Sequence, residues 1–158
     1  MKRAFFDAIM PLMEKNKDIY FISAGLGWPR TDELKEKFPK RYIQAEAAEQ
    51  TALDISVGLS YSGKIPFIYT ITPFFYRGWE TIRTYINHES LSVKLIGAGR
   101  GTDYSMHDGY SHDACDFGDF LDHFGNITQY WPKEKKELGW ILDDMLANDK
   151  PCFLSLRR

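Results

Sequence analysis

Short apolar runs alternate with segments that carry apolar residues at helical spacing along nearly the whole chain. Runs of this length, bounded by polar and glycine-containing stretches, are typical of buried strands rather than of long helices. The predicted strands cover residues 19–23, 42–44, 66–70, 93–97, 126–130 and 152–156.

The segments between these strands are predicted helices. Phe75, Trp79, Ile82 and Ile86 recur at positions that share one helix face. The N-terminal segment is also apolar at helical spacing, but Pro11 argues against an uninterrupted helix there. Further helices are predicted over residues 47–61 and 116–124 and around residues 138–145.

Strands that alternate with helices indicate a parallel sheet covered on both faces. The predicted fold class is therefore α/β, a three-layer α/β/α sandwich around a mostly parallel central sheet. The chain has 158 residues, 44% of them hydrophobic, so we expect a single domain over residues 1–158 with a sizeable core.

Charge and cysteine content argue against several classes of function. The formal net charge of −2 gives no field that would attract nucleic acid or an anionic membrane. The apolar runs are far shorter than the ~20 residues of a membrane span. Cys115 and Cys152 are too few for a disulfide framework, and no signal peptide is indicated, so we predict a reduced, cytoplasmic protein.

Three loops follow predicted strands and should converge on one edge of the sheet, where such folds bind ligands. The first, residues 45–49, holds Glu46 and Glu49, which share a face if the helix has begun. Their spacing fits a functional pair, and it equally fits acidic residues that favour the first turn of a helix.

The second loop, residues 71–77, contains the consecutive aromatics Phe74, Phe75 and Tyr76. One of these rings must face away from the core whatever the backbone does. They fit core packing with one amphipathic tyrosine, or a flat surface on which a planar heterocycle could stack.

The third loop, residues 98–113, is polar and rich in glycine. His107, Asp108 and His112 lie in it, and Asp113, Cys115 and Asp116 continue the cluster. A zinc site is one interpretation, but the spacing matches no strong zinc pattern. Two histidines at a strand end fit acid–base chemistry better, so no metal site is predicted in this chain.

Taken together, these segments resemble the pyrimidine-binding domain of transketolase-type thiamine diphosphate enzymes over nearly the whole chain. Their order and spacing carry the resemblance more than any single piece. The segments are RYIQAEAAEQ at 41–50, VGLSYSGKIP at 57–66, PFFYRGWE at 73–80, VKLIGAG at 93–99 and GYSH at 109–112.

The resemblance implies that Glu49 hydrogen-bonds N1′ of the cofactor's pyrimidine and acts in catalysis. The cofactor's own imino group can remove the proton from thiazolium C2 only if N1′ is protonated or bonded to an acid. The helix dipole favours a carboxylate here, but burial under the bound ring is expected to favour the neutral carboxyl group.

Other site residues also follow from the resemblance. Phe74 matches an aromatic that stacks on the aminopyrimidine, and His112 matches a catalytic histidine on the substrate side. Arg100 is expected to contact a substrate phosphate. The remaining assignments are Ile71 and Arg77 beside the cofactor, and Asp108 and His107 beside the substrate.

The sequence departs from the family pattern around these residues. Glu46 stands where the family usually has glycine, which places a second carboxylate near the site. Ser111 replaces threonine, Asp113 follows His112 where glutamine or histidine is usual, and Tyr110 is bulkier than the common residues. We therefore expect a substrate other than an ordinary pentose phosphate.

The sequence has no GDG motif followed by asparagine, the family signature for binding magnesium and diphosphate. Residues 151–158 resemble the end of the pyrimidine domain, so no diphosphate-binding domain and no C-terminal transketolase domain are expected. The resemblance thus implies half of a site for thiamine diphosphate and Mg²⁺. A larger partner chain would bind the magnesium and diphosphate, in an α2β2 heterotetramer.

Three functions remain open at this stage. The chain could be a subunit of a split transketolase-like transferase that moves a ketol unit between sugar substrates. It could instead serve an α-keto acid decarboxylating carboligase similar to deoxyxylulose-phosphate synthase. A non-catalytic regulatory subunit is the third possibility, and the joint presence of Glu49, Phe74 and His112 argues against it.

Overall fold

The computed structural model describes residues 1–26 and 29–158. In these residues six strands form one sheet in the order β2-β1-β3-β4-β6-β5, and every neighbouring pair is parallel. The strands are β1 Ile19–Ala24, β2 Tyr42–Glu46, β3 Ile65–Ile71, β4 Lys94–Ala98, β5 Thr128–Tyr130 and β6 Cys152–Leu156.

Helices connect the strands on both sides of the sheet. The α-helices are α1 Lys2–Lys15, α2 Pro29–Lys37, α3 Glu49–Tyr61, α4 Trp79–Thr81, α5 Ser105–Asp108, α6 Phe117–Asp122 and α7 Leu138–Ala147. Short 3₁₀ segments cover Thr72–Gly78, Tyr110–His112 and Lys135–Glu137, and a π-helical segment covers Ile82–His88.

Consecutive strand residues point to opposite faces of the sheet, and each face buries its own apolar cluster. Phe21 and Tyr69 pack with α1, α2 and α7, whereas Ile22 and Ile68 pack with α3, α6 and the helical segment that follows β3. The predicted three-layer α/β/α sandwich with a parallel sheet is therefore confirmed.

The expectation that Pro11 interrupts the first helix is wrong, because α1 runs through it. A proline at this position leaves the carbonyl of Asp7 without its helical N–H partner. Both Asp7 and Pro11 lie on the exposed face, so water can reach that carbonyl. The opposite face, which includes Phe5 and Ile9, is buried against the sheet.

The apolar pattern over Phe75, Trp79, Ile82 and Ile86 predicts one helix, and the chain there changes from 3₁₀ to α to π geometry. Gly78 lies at the first change. A Cβ atom added to it would lie 2.0 Å from Cδ1 of Leu53, so only a glycine lets this segment approach α3 so closely.

Two further differences concern element boundaries. Helix α2 was not predicted, because only Thr31 and Leu34 of its nine residues are buried and its apolar signal is weak. Strand β5 is shorter than predicted and begins at Thr128. None of the helices within residues 1–26 and 29–158 is long and apolar enough to cross a membrane.

Candidate functional site

The candidate site lies at the carboxyl edge of the sheet, next to the point where the strand order reverses. The chain leaves β1 toward β2 on one side, and it leaves β3 toward β4 on the other. Crevices at such reversal points are the usual ligand sites of open α/β sheets. Gly25 follows β1 here, Thr72 follows β3, and Glu49 begins α3.

Glu49 is a buried carboxyl group at this edge, with only 1% of its surface exposed. Its Oε2 accepts a hydrogen bond of 2.5 Å from Nη1 of Arg77. Its Oε1 is buried and has no hydrogen-bond partner within residues 1–26 and 29–158. A buried polar atom without a partner costs free energy, so Oε1 fits the contact point of a ligand that forms a hydrogen bond with it.

Gly25 leaves space in front of that oxygen. Its φ of +69° is in the left-handed region that glycine adopts readily. A Cβ atom at this position would lie 3.5 Å from Oε1 of Glu49 and would cover it.

Two hydrogen-bonded links fix the segment that carries the aromatic residues. The hydroxyl of Thr72 donates to the carbonyl of Gly99, at 2.5 Å, and joins the end of β3 to the loop after β4. On the far side, Gln50 Nε2 donates to Thr81 Oγ1 at 2.7 Å and joins α3 to α4. The segment between Thr72 and Thr81 is therefore held against the first turn of α3.

Phe74 and Phe75 point in opposite directions. Phe75 is fully buried and packs against Phe117 and Phe153 in the core. Phe74 is only half-buried, and the guanidinium carbon of Arg77 lies 4.2 Å from its ring centroid. Phe74 therefore presents an aromatic ring at the sheet edge, and Arg77 links this ring to Glu49.

His112 completes this cluster from the third loop. Its ring centroid lies 5.0 Å from that of Phe74, with the rings inclined at 64°. The Ser111 hydroxyl lies 3.1 Å from His112 Nδ1 and orients the imidazole. Glu49, Arg77, Phe74 and His112 thus form one chain of contacts across residues that are distant in sequence.

Two groups of the segments that form the site, Asp113 and Tyr76, have shifted pKa values. Hydrogen bonds from the Cys115 backbone N–H and the Ser105 hydroxyl lower the pKa of Asp113, so it stays ionised next to His112. Burial, and then the hydrogen bond to Asp116, raise the pKa of the Tyr76 hydroxyl, which stays protonated.

The other residues predicted for the site are not part of this chain of contacts. Arg100 uses its guanidinium to hold Ser155 and the carbonyl of Pro132, at 3.0–3.1 Å. His107 and Asp108 are exposed on the short helix α5. Ile71 ends β3, is buried, and pairs with Ala98.

No cluster of three or more His, Cys, Asp or Glu side chains that could hold a metal ion is present in the described part of the chain. The second free cysteine, Cys152, is buried in β6, while Cys115 is exposed. The site offers the carboxyl group of Glu49, the ring of Phe74 and the imidazole of His112. This set of groups suits an uncharged heterocycle and a polar substrate.

The whole chain, residues 1–158, matches the family model described as "Transketolase, pyrimidine binding domain". The chain belongs to this family. As in the resemblance drawn from the sequence, the match of this pyrimidine-binding domain extends over all of its elements.

Curated relatives of this pyrimidine-binding domain include a transketolase section and a transketolase subunit. It is 30% identical over 118 residues to a "Putative transketolase C-terminal section" of Methanocaldococcus jannaschii, covering 73% of this chain and 37% of the relative. It is 23% identical over 160 residues to the "6-deoxy-6-sulfo-D-fructose transketolase subunit SqwH" of a Clostridium species, covering 100% and 49%.

A third relative is a longer protein. The "1-deoxy-D-xylulose-5-phosphate synthase" of Prochlorococcus marinus is 25% identical over 157 residues, covering 99% of this chain and 24% of that protein. The chain thus spans half or less of the length of these curated relatives.

A solved structure described as "Split gene transketolase, inactive beta4 tetramer" is similar in fold and sequence. It aligns with a TM-score of 0.86 and 26% identity, covering 99% of this chain and 50% of that one. The pyrimidine-binding domain therefore has the fold of a subunit from a split transketolase.

The contact between Arg77 and Glu49 was not predicted from the sequence. The resemblance placed both residues beside the cofactor, but they are 28 positions apart and belong to different elements. The sequence did show two opposite charges, with Phe74 between them along the chain. Only the fold shows that Arg77 contacts both Glu49 and Phe74.

Proposed function

We propose that this chain is the pyrimidine-binding subunit of a two-chain, thiamine diphosphate-dependent enzyme that transfers a ketol unit between sugar or sugar phosphate substrates. The observation that carries the proposal is the buried, unpartnered Oε1 of Glu49, a residue that Arg77 links to the half-buried ring of Phe74. Membership of the pyrimidine-binding family supports the cofactor, and the split-gene relatives support a second chain.

The residues present fit the pyrimidine half of the cofactor. The orphaned Oε1 of Glu49 offers the hydrogen-bonding partner that N1′ requires, and Phe74 offers the stacking surface. When bound, thiamine diphosphate supplies the carbon nucleophile of ketol transfer. In this proposal Mg²⁺ and the diphosphate are held by the larger chain.

Each residue of the cluster has a separate task. Glu49 holds a proton at N1′, because a neutral carboxyl group donates there and a carboxylate cannot. Phe74 fixes the plane of the ring by stacking. His112 hydrogen-bonds the substrate carbonyl and stabilises the negative charge that develops on its oxygen, the kind of electrostatic help that preorganised donors give.

The remaining predicted residues extend the site. We place Ile71 at the edge of the cofactor pocket and His107 and Asp108 on the substrate side. Arg100 would contact a substrate phosphate only by releasing Ser155 or Pro132, which its guanidinium now binds. We also place the enzyme in the cytoplasm as an α2β2 heterotetramer.

A second candidate is a decarboxylating carboligase, because the similarity to a deoxyxylulose-phosphate synthase extends over 99% of this chain. The donor distinguishes the two functions. Ketol transfer uses a ketose or ketose phosphate, whereas the carboligase consumes an α-keto acid such as pyruvate and releases carbon dioxide.

The test uses the complex of this chain with the larger subunit that co-purifies from its native lysate. The complex is supplied with thiamine diphosphate, Mg²⁺, an aldehyde acceptor and either ketose donors or pyruvate. A new ketose without carbon dioxide supports ketol transfer, and release of carbon dioxide from pyruvate supports the second candidate. No turnover with either class of donor would contradict both and indicate a regulatory subunit.

A further inference from the structure

A cavity of about 560 Å³ lies between the π-helical segment and the end of α6. Small-molecule sites commonly have volumes of about 300–1,000 Å³, so this cavity is large enough for a ligand. It contains none of the residues that the proposed function assigns to the cofactor or the substrate. Its lining includes the aromatic Trp79 and Phe124, the basic Arg83 and His123, and the polar Thr84 and Asn87.

Contacts at both ends of the cavity hold its walls together. At one end the ring of Trp79 packs against Phe120 and Phe124, with centroid distances of 5.0 and 5.3 Å. At the other end Asn126 donates twice to Asn87, from its backbone N–H to Oδ1 at 3.0 Å and from its Nδ2 to the carbonyl at 2.8 Å. The cavity is therefore bounded by two fixed elements, with an aromatic end and an amide end.

The π-helical segment places the polar part of the lining. Arg83, Thr84 and Asn87 all belong to this segment. Turns of π-helix are rare and are found frequently at functional sites. Ile82 and Ile86 of the same segment are buried in the core, so the segment is fixed to the sheet while its polar residues line the cavity.

Arg83 gives the cavity a cationic donor. Its guanidinium forms no hydrogen bond or ion pair with any residue in 1–26 or 29–158, and the Nδ2 of Asn87 and the hydroxyl of Thr84 likewise have no partner among these residues. His88 also lines the cavity, but its Nε2 lies 3.7 Å from Oε1 of Glu89, which offsets that charge. The free polar groups are therefore mainly donors, which suits a ligand with several acceptor oxygens.

We propose that this cavity binds a phosphate ester that carries a flat ring, the chemistry of a nucleotide. The phosphate supplies the acceptor oxygens for Arg83, Asn87 and Thr84, and the planar guanidinium group binds phosphate oxygens in pairs. The exposed part of Trp79 supplies a surface on which the flat ring stacks. This binding site goes beyond the proposed function and does not depend on it.

The test is an NMR titration of the full chain with adenosine monophosphate and with uridine monophosphate. Adenosine, which lacks the phosphate, and ribose 5-phosphate, which lacks the flat ring, are the matched probes. The side-chain amide signal of Asn87 reports on the cavity, and the indole signal of Trp140, exposed on α7, is the reference. The variants are Arg83→Gln and Trp79→Leu. Arg3→Gln is the matched control, because it removes an exposed arginine from α1, on the other side of the sheet.

We expect both nucleotides to bind with a dissociation constant in the millimolar range or below, and each matched probe to bind at least about tenfold more weakly. Arg83→Gln should raise the dissociation constant of the nucleotides about tenfold, because hydrogen bonds to a charged group are lost. Trp79→Leu should raise it about fivefold but leave the weaker binding of ribose 5-phosphate unchanged, because only the flat ring stacks on the indole. Arg3→Gln should bind as wild type does.

The absence of any change at Asn87 with both nucleotides at millimolar concentration would overturn the proposal, and so would equal binding by Arg83→Gln and wild type. Arg83 is exposed, so its variant keeps the test decisive even if Trp79→Leu does not fold. The titration is repeated with the larger subunit added. Persistent binding supports the nucleotide site, whereas loss of binding would assign the cavity to the contact between subunits and overturn it.

Discussion

Glu46 has a backbone conformation that its residue type disfavours. Its φ is +49°, at the end of β2, where the pairing with β1 also shifts register. The left-handed conformation costs an ordinary residue about 1–2 kcal/mol, and glycine adopts it freely. The glycine usual in the family at this position therefore has a conformational explanation.

We expect Glu46→Gly to raise the free energy of unfolding by about 1 kcal/mol. Urea denaturation followed by circular dichroism measures the change. Glu36→Gly is the control, because it makes the same exchange in the last turn of helix α2, where φ is not positive, and should not raise stability. If Glu46→Gly instead lowers the free energy of unfolding, the carboxylate of Glu46 stabilises the fold by more than its left-handed backbone conformation costs.

Glu49→Gln tests the acid at N1′. We expect the reconstituted enzyme to lose about 10²–10⁴-fold in turnover, because an amide cannot supply the proton. The fold should persist, since glutamine has the same shape and can still accept a hydrogen bond from Arg77. Turnover within about threefold of wild type, with an unchanged circular dichroism spectrum, would contradict the role of Glu49.

Phe74→Ala and Phe75→Ala should have different consequences. Phe74 is half-buried at the site, so its loss should weaken cofactor binding by up to about tenfold, the equivalent of ~0.5–1.5 kcal/mol of stacking. Phe75 is fully buried, so its loss should lower stability by about 3–5 kcal/mol.

Cofactor titration and thermal unfolding of both variants measure the two effects. If Phe75→Ala stays folded and weakens cofactor binding more than Phe74→Ala does, the assignment of the stacking residue is wrong.

At the scale of elements, the strands could be predicted because each is a short apolar run whose alternate residues serve two cores. Phe67 and Ile68 show this, since they are adjacent and pack into different clusters. The geometry of the segment after β3 could not be predicted, because its apolar spacing fits a single helix and does not show the close contact between Gly78 and Leu53. That contact is a property of tertiary packing rather than of local sequence.

The candidate site, too, could be predicted from the sequence only in part. Glu49, Phe74 and His112 could be selected because their segments resemble a known family, and the fold places them together. The engagement of Arg100 by Ser155 could not be foreseen, because the two residues are 55 positions apart and meet only when β4 and β6 pair.

Pro11 permits a test of helix α1. Replacing it with alanine restores an N–H that can bond the carbonyl of Asp7, and proline is about 3 kcal/mol less favourable than alanine inside a helix. We expect Pro11→Ala to raise the free energy of unfolding by at least about 1 kcal/mol. Urea denaturation measures it, and a lower stability would mean that the ring of Pro11 makes packing contacts that outweigh the lost hydrogen bond.

At the scale of the whole molecule, the surface beside the site has an aromatic component. Trp79 is 43% exposed and Tyr110 is 87% exposed, and both belong to the segments that carry or flank the site. Large exposed aromatics are typical of surfaces that bind other proteins. This agrees with the proposal that a larger chain closes the cofactor pocket from this side.

Calorimetric titration of thiamine diphosphate and Mg²⁺ tests the central claim most directly, because it asks whether this chain holds only half of the cofactor site. The isolated chain offers Glu49 and Phe74 to the pyrimidine, whereas the diphosphate anchor is proposed to lie in the other subunit. We predict no micromolar binding by the chain alone, and micromolar or tighter binding once the larger subunit is added. Micromolar binding by the isolated chain, or turnover without a second chain, would contradict this account.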